Sequence, residues 1–181
     1  MNLSGVTAIA AGSSHALAVR SDGTVRAWGS NQYSQLGTTT TAHCSAYQYS
    51  CSTTPVQVQS LTGVSTVAGG GNFSLALKSD ASVWGWGENG YGQLANGTTK
   101  AFGGVKTPTK ANLASVIAIA AGAEHTLALK SDGTVWGAGS NQSGQLGDGT
   151  FNDSSNPVGV VNVSGVSGIG AGLNHSLAVG P

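Results

Sequence analysis

The chain predicts an all-β fold of propeller blades, each a sheet of four antiparallel strands, and three observations lead there. A 29-residue pattern recurs without a gap at Ile9 to Gly37, Val67 to Ala95 and Ile119 to Gly147, and Ile169 to Val179 begins a further copy. Its anchoring glycines, Gly12, Gly70, Gly122 and Gly172, stand 58, 52 and 50 residues apart. Each copy places a short turn sequence between two alternating apolar runs and adds a proline-led run after a loop of variable length, which gives four short strands per repeat. Four strands in a period near 50 residues is the mark of a propeller blade. The chain is therefore read as one domain over residues 1–181. Its blades lie at about 3–60, 61–112 and 113–162, with a partial blade at 163–181, about three and a half repeats in all.

Within a repeat the first strand is the small-residue run typified by Ile119-Ala120-Ala121-Gly122, expected innermost because alanine and glycine let backbones crowd near the axis. The second strand opens on His15, His125 or His175, with Phe73 at the same place in the second repeat. A residue repeated in every blade is spread around a ring and cannot converge on one substrate. These histidines are therefore expected to tie the first two strands by bonding to backbone. Asp22-Gly23 and Asp132-Gly133 mark tight hairpin turns into the third strand, because Asp and Gly tolerate the backbone angles such a turn needs. The third strand carries Arg26 and Trp28, Trp84 and Trp86, or Trp136 and Ala138, a trade of bulk between two positions that suits blades packed face to face. Asn31, Asn89 and Asn141, with Gln35, Gln93 and Gln145, read as turn formers. Pro55, Pro108 and Pro157 are expected at the start of the fourth strand, where a missing N–H costs nothing on an edge.

Taken together, His-x-Leu-Ala-Leu, Ser-Asp-Gly-x-Val-Trp-x-x-Gly and Asn-x-x-Gly-Gln-Leu-Gly resemble the repeat of the regulator of chromosome condensation family. That resemblance implies a β-propeller, usually of seven blades, of which this chain would be about half. It departs from the pattern at Phe73, at Ala81 in place of the turn glycine, and at Ala95 in place of the last glycine. The resemblance also implies two finer roles, exchange factor for a small GTPase or inhibitor of a secreted enzyme.

Composition narrows the function. Charged residues are 8% of the chain and balance at seven basic and seven acidic, so electrostatic capture of nucleic acid or of an acidic membrane is not expected. No apolar run approaches the roughly 18 residues of a membrane span. The chain opens on Asn2-Leu3-Ser4-Gly5, already in repeat register, which reads as cytoplasmic as written and extracytoplasmic if a leader precedes it. No nucleophile elbow, zinc-protease helix or phosphate loop is present, the acids Glu88, Asp148 and Asp153 are scattered, and no catalytic residue or cofactor is expected. The glycine runs Gly69 to Gly71 and Gly103 to Gly104 read as a close approach at the axis and as loop, respectively.

The expected function is thus a non-enzymatic protein-interaction scaffold. Loop length varies at one place only, the connection to the fourth strand, with 17, 12 and 9 residues before Pro55, Pro108 and Pro157. Binding residues concentrate on such loops. The expected anchors for an unidentified protein partner are the aromatics there: Tyr33, Tyr47, Tyr49, Tyr91, Phe102 and Phe151. Cys44 and Cys51, the only cysteines, lie in the longest loop with six residues between them. A disulfide is expected, against free thiols or half of a metal site with His43. The end blades would expose apolar faces, so self-association that closes a ring is expected, with a piece of a longer repeat protein as the alternative.

Overall fold

The computed structural model describes residues 3–40, 42–44 and 48–180, and every regular element among them is a β-strand. The first sheet holds β1 (Val6–Ala11), β2 (His15–Arg20), β3 (Val25–Ser30), β4 (Ala42–Cys44) and β5 (Tyr49–Gln57) in the order β1-β2-β3-β5-β4. The second runs β6 (Val64–Gly69), β7 (Phe73–Lys78), β8 (Val83–Asn89), β9 (Lys100–Lys110), and the third runs β10 (Val116–Ala121), β11 (His125–Lys130), β12 (Val135–Gly139), β13 (Ser154–Gly159). A two-stranded hairpin, β14 (Gly168–Ala171) and β15 (Ser176–Val179), begins a fourth. All pairings are antiparallel, as the repeat predicts.

The small-residue strands stand where the blades come closest. A side-chain carbon on Gly69 would meet the backbone of Ala11 and Gly12, and one on Gly71 would meet the carbonyl of Ala123. Backbone bonds cross from blade to blade along this line: Ser13 N to Gly70 O at 3.2 Å, Gly71 N to Ala123 O at 3.0 Å, Ala123 N to Leu173 O at 3.2 Å. At the far end of each blade, Asp22, Asp80 and Asp132 accept from the backbone N–H and the hydroxyl of Thr24, Ser82 and Thr134. Those bonds hold all three carboxyls below their ordinary range. Ala81, which stands in place of the turn glycine, takes the turn at φ 62°.

Two expectations about the outer strands are corrected. The prolines do not start the fourth strands but sit inside β5, β9 and β13, beside register shifts at Ala27/Gly29, Gly85/Gly87 and Gly137/Gly139. An outer strand next to a bulge can omit an N–H without breaking a regular ladder. Gly103 and Gly104 are not loop but lie within β9, both at positive φ, where Gly104 packs against the carbonyl of Tyr33.

The core lies between blades rather than inside them, since a single sheet needs a second layer to bury its face. Leu17, Val19, Val25, Leu36 and Val58 of the first blade pack against Val64, Val67, Ala76 and Trp86 of the second. Bulk is traded across this junction, not along one strand. Trp86 is fully buried beside Gly37 and Val58 and donates Nε1–H to Gln35 O at 2.8 Å. At the next junction Ala95 replaces the glycine and Ala138 replaces the tryptophan, and the two share one buried cluster. The substitution of Gly by Ala in that motif is therefore matched by the loss of an indole one blade further on.

The histidines also work across blades, which corrects their assignment to a bond within one sheet. Ser74 Oγ donates to Gln35 O at 2.8 Å and lies 2.9 Å from His15 Nε2. Because the serine proton is spent on the carbonyl, Nε2–H of His15 is the donor and Nδ1 carries the lone pair. His125, Ser176 and Gln145 repeat the relay at 3.0 and 2.6 Å. Where the second blade has Phe73 the third has Thr126, which keeps only the bond to the carbonyl, Gln93 O, at 2.7 Å. Burial drives the His15 and His125 imidazoles down to about 4, with the charge of His175 a lesser cause at His125, so both are neutral at pH 7.

Candidate functional site

Strand order places two sets of connections at one end of the blades. The turns between first and second strands are fastened to the ends of the third strands by Ser30 N to Ser14 O at 2.8 Å, Glu88 N to Asn72 O at 3.0 Å and Ser140 N to Glu124 O at 2.9 Å. The variable loops leave from and return to the same end, as Asn31 N to Ser50 O at 2.8 Å and Asn141 N to Asp153 Oδ1 at 2.7 Å show. Each loop starts in a fixed conformation. Asn31, Asn89 and Asn141 accept from the N–H of Leu36, Leu94 and Leu146, and Gln35, Gln93 and Gln145 accept from the N–H of Tyr33, Tyr91 and Ser143. Each loop reaches the outer strand of the following blade: Ser34 Oγ donates to Gly103 O of β9 at 3.0 Å, and Gly97 N donates to Ser155 O of β13 at 2.9 Å.

Of the expected anchors, Phe102 and Phe151 stand out of the loop face at 86% and 75% exposure. Tyr49 is exposed, at the start of β5 rather than in a loop, and Phe102 likewise belongs to a strand, β9. Tyr33 and Tyr91 are half-buried, in the turns against which Gly104 and Ser155 of the following blade pack. Tyr47 lies outside the described residues. Cys44 and Cys51 are joined by a disulfide with Cα atoms 5.8 Å apart, which pins β4 to β5 and turns the longest loop into a second hairpin. His43 is engaged with the Gln48 carbonyl at 2.9 Å. Among the described residues there is no group of three or more histidine, cysteine or carboxylate side chains arranged to hold a metal ion.

Beside the disulfide, Trp28, Tyr49, Ser14 and Gln32 line an open cleft of about 540 Å³. Trp28 is the counterpart of the buried Trp86 and lies half-exposed on the outer face of the first blade.

The acids are less scattered than their sequence spacing suggests. Glu124, in the turn before His125, has its carboxyl raised by burial and by the neighbouring charges of Glu88 and Asp153. Asn72 Nδ2 donates to Glu88 at 3.2 Å, while Asp148 is engaged by Asn141 and Thr150 within its own loop. Glu124 carries no repeat signal in the sequence, because its position in the repeat holds Ser14, Asn72 and Asn174 elsewhere.

These features recur in known proteins. The model of the regulator of chromosome condensation (RCC1) repeat matches residues 22–77, 80–129 and 132–179. The chain is 32% identical over 177 residues to the ultraviolet-B receptor UVR8 of Arabidopsis thaliana, covering 94% of this chain and 38% of the receptor. It is 33% identical over 175 residues to human E3 ubiquitin-protein ligase HERC2, covering 94% of this chain and 4% of the ligase. Yeast RCC1 (Prp20), solved bound to Kap60, superposes with a TM-score of 0.80 at 27% identity, covering 97% of this chain and 41% of Prp20. The chain spans less than half the length of each of these relatives. Repeat, blade and topology agree along nearly the whole sequence, and the chain belongs to the RCC1 repeat family.

Proposed function

We propose that this chain is a non-enzymatic protein-interaction scaffold whose partner sits on the loop face, held chiefly by Phe102 and Phe151. The observation that carries the reading is their exposure, 86% and 75%, with Phe102 on strand β9 and Phe151 in the loop before β13, at the end of the blades where the loop bases are fixed by hydrogen bonds. Large aromatics on a fixed frame lose little freedom when buried by a partner, and such residues dominate interface energies. Glu88, Glu124 and Asp153 lie on the same face and favour a partner that presents basic side chains. Among relatives, yeast Prp20 has been crystallised with Kap60 and studied for binding to Gsp1p and histones, so a protein built on this repeat has protein partners.

The test is capture from the native proteome by immobilised wild type and by the double variant Phe102→Ala/Phe151→Ala. Each truncation at a true anchor costs about 1 kcal/mol or more, so the double variant is expected to lose at least about tenfold in affinity for the captured protein. Its melting temperature should not move, because both rings stand outside the core. Raising salt should weaken capture further. Equal capture by both proteins would remove the loop face from the site.

A further inference from the structure

The three variable loops are fastened in two different ways. In the second and third blades one side chain makes the turn that opens the loop: Asn96 Oδ1 accepts from Thr98 N at 3.1 Å and from Thr98 Oγ1 at 2.7 Å, and Asp148 Oδ1 accepts from Thr150 N at 3.0 Å and from Thr150 Oγ1 at 2.9 Å. The first blade has Thr38 at that position, whose side chain lacks such an oxygen, and there the Cys44–Cys51 bond closes the loop instead. β4 itself is weakly held. It is three residues long, with Ala42 and His43 exposed and Cys44 half-buried, and none of the described residues between 38 and 54 belongs to a buried apolar cluster. Its ladder to β5 is supported by the bond from the His43 ring to Gln48 O and by the Thr40–Ser50 hydroxyl pair at 2.7 Å.

An edge hairpin of this size is marginal without a cross-link, and closing a short loop covalently removes freedom that its ends would otherwise regain. We propose that the Cys44–Cys51 bond is a reversible redox latch on the loop face: closed, it holds β4 and fixes the exposed Tyr49 at the start of β5; opened, it releases β4 and the position of Tyr49 with it, while the blades stay folded. The step is exchange with a dithiol. One thiolate of the dithiol attacks Sγ of Cys44, the more exposed cysteine, and Cys51 leaves as a thiolate and takes a proton. The second thiol of the dithiol then displaces Cys44, so two electrons pass to the protein and the dithiol ends as a disulfide. The latch acts on one loop only, since the other two are held by hydrogen bonds that a dithiol does not touch. Its effect on a partner rests on the loop-face reading above; the release of β4 does not.

Amide hydrogen exchange with and without dithiothreitol tests this on the chain as it is. Reduction is expected to speed exchange of residues 42–44 by about tenfold or more, while residues 15–20 and 25–30 of β2 and β3 exchange as before. Cys44→Ser/Cys51→Ser should show the fast pattern with or without reductant and keep a cooperative urea melt. The reduced chain should also capture its protein about fivefold more weakly, which is roughly what one aromatic anchor contributes. Unchanged protection at 42–44, or a loss that spreads through β2 and β3, would overturn the latch, and equal capture in both redox states would overturn its control of the face. Capture unimpaired in Phe102→Ala/Phe151→Ala is the separate failure of the loop-face reading, and the exchange measurement then still decides the latch.

Discussion

Trp86→Ala is expected to destabilise the chain by about 3–5 kcal/mol, the usual cost of emptying an indole-sized site in a packed core. Trp86 is fully buried, spans the junction between the first two blades, and gives its N–H to Gln35 O. Gly37→Ala is expected to cost about 2 kcal/mol, because the new carbon would lie 2.8 Å from Val58 Cγ1 and 3.0 Å from Trp86 Nε1 at a φ of +62°. The two together should cost clearly less than their sum. Without the indole the added methyl loses its two contacts with Trp86 and the Val58 side chain has room to move off it, so the methyl fills part of the gap, which is the arrangement that Ala95 and Ala138 already adopt one junction further along. Urea midpoints of the four proteins measure the coupling. Additive losses would mean that bulk is not traded across the junction.

Acid should loosen the blade junctions well before it protonates the turn aspartates. The folded pKa of His15 is depressed from 6.5 to about 4, so between those values the unfolded chain binds a proton that the native chain refuses. Stability from this site is therefore complete above pH 6.5, falls as pH drops to about 4, and is level below that. A shift of that size corresponds to about 3 kcal/mol. His125 acts in the same direction over the same window. Asp22, Asp80 and Asp132 lose their contributions at lower pH, below the ordinary aspartate value. Glu124, whose carboxyl is raised, opposes the trend by binding its proton more readily in the folded state. The pair His15→Phe/Ser74→Thr copies the natural Phe73 and Thr126 junction and should remove about half of the loss between pH 6.5 and 4. Denaturant titrations at fixed pH values follow this directly, and an unchanged acid profile in that double variant would rule out His15 as its source.

Much of this fold is legible because its signals are local and repeated. The Asp-Gly turns, the small-residue first strands and the single place where loop length varies each lie within one repeat, and the structure places each as the pattern requires. What the sequence hides are relations between residues a full repeat apart. Ser74 is 59 residues from His15, and nothing near either names the other. The same holds for Gly37 with Trp86, whose partnership becomes readable only once the blades are stacked. The prolines lie a few residues inside their strands because those strands begin before a bulge, and bulges leave little trace in hydrophobic alternation. Glu124 is hidden for a related reason: its neighbours Glu88 and Asp153 come from other turns of the chain.

Amide hydrogen exchange on the chain, free and with its captured protein, tests the placement of the binding face most directly. Protection is expected over residues 89–104 and 141–153, which carry Phe102 and Phe151, while the hairpin turns at 21–24, 79–82 and 131–134 on the opposite end exchange as before. Protection confined to those turns, with the loops unaffected, would contradict a partner held on the loop face.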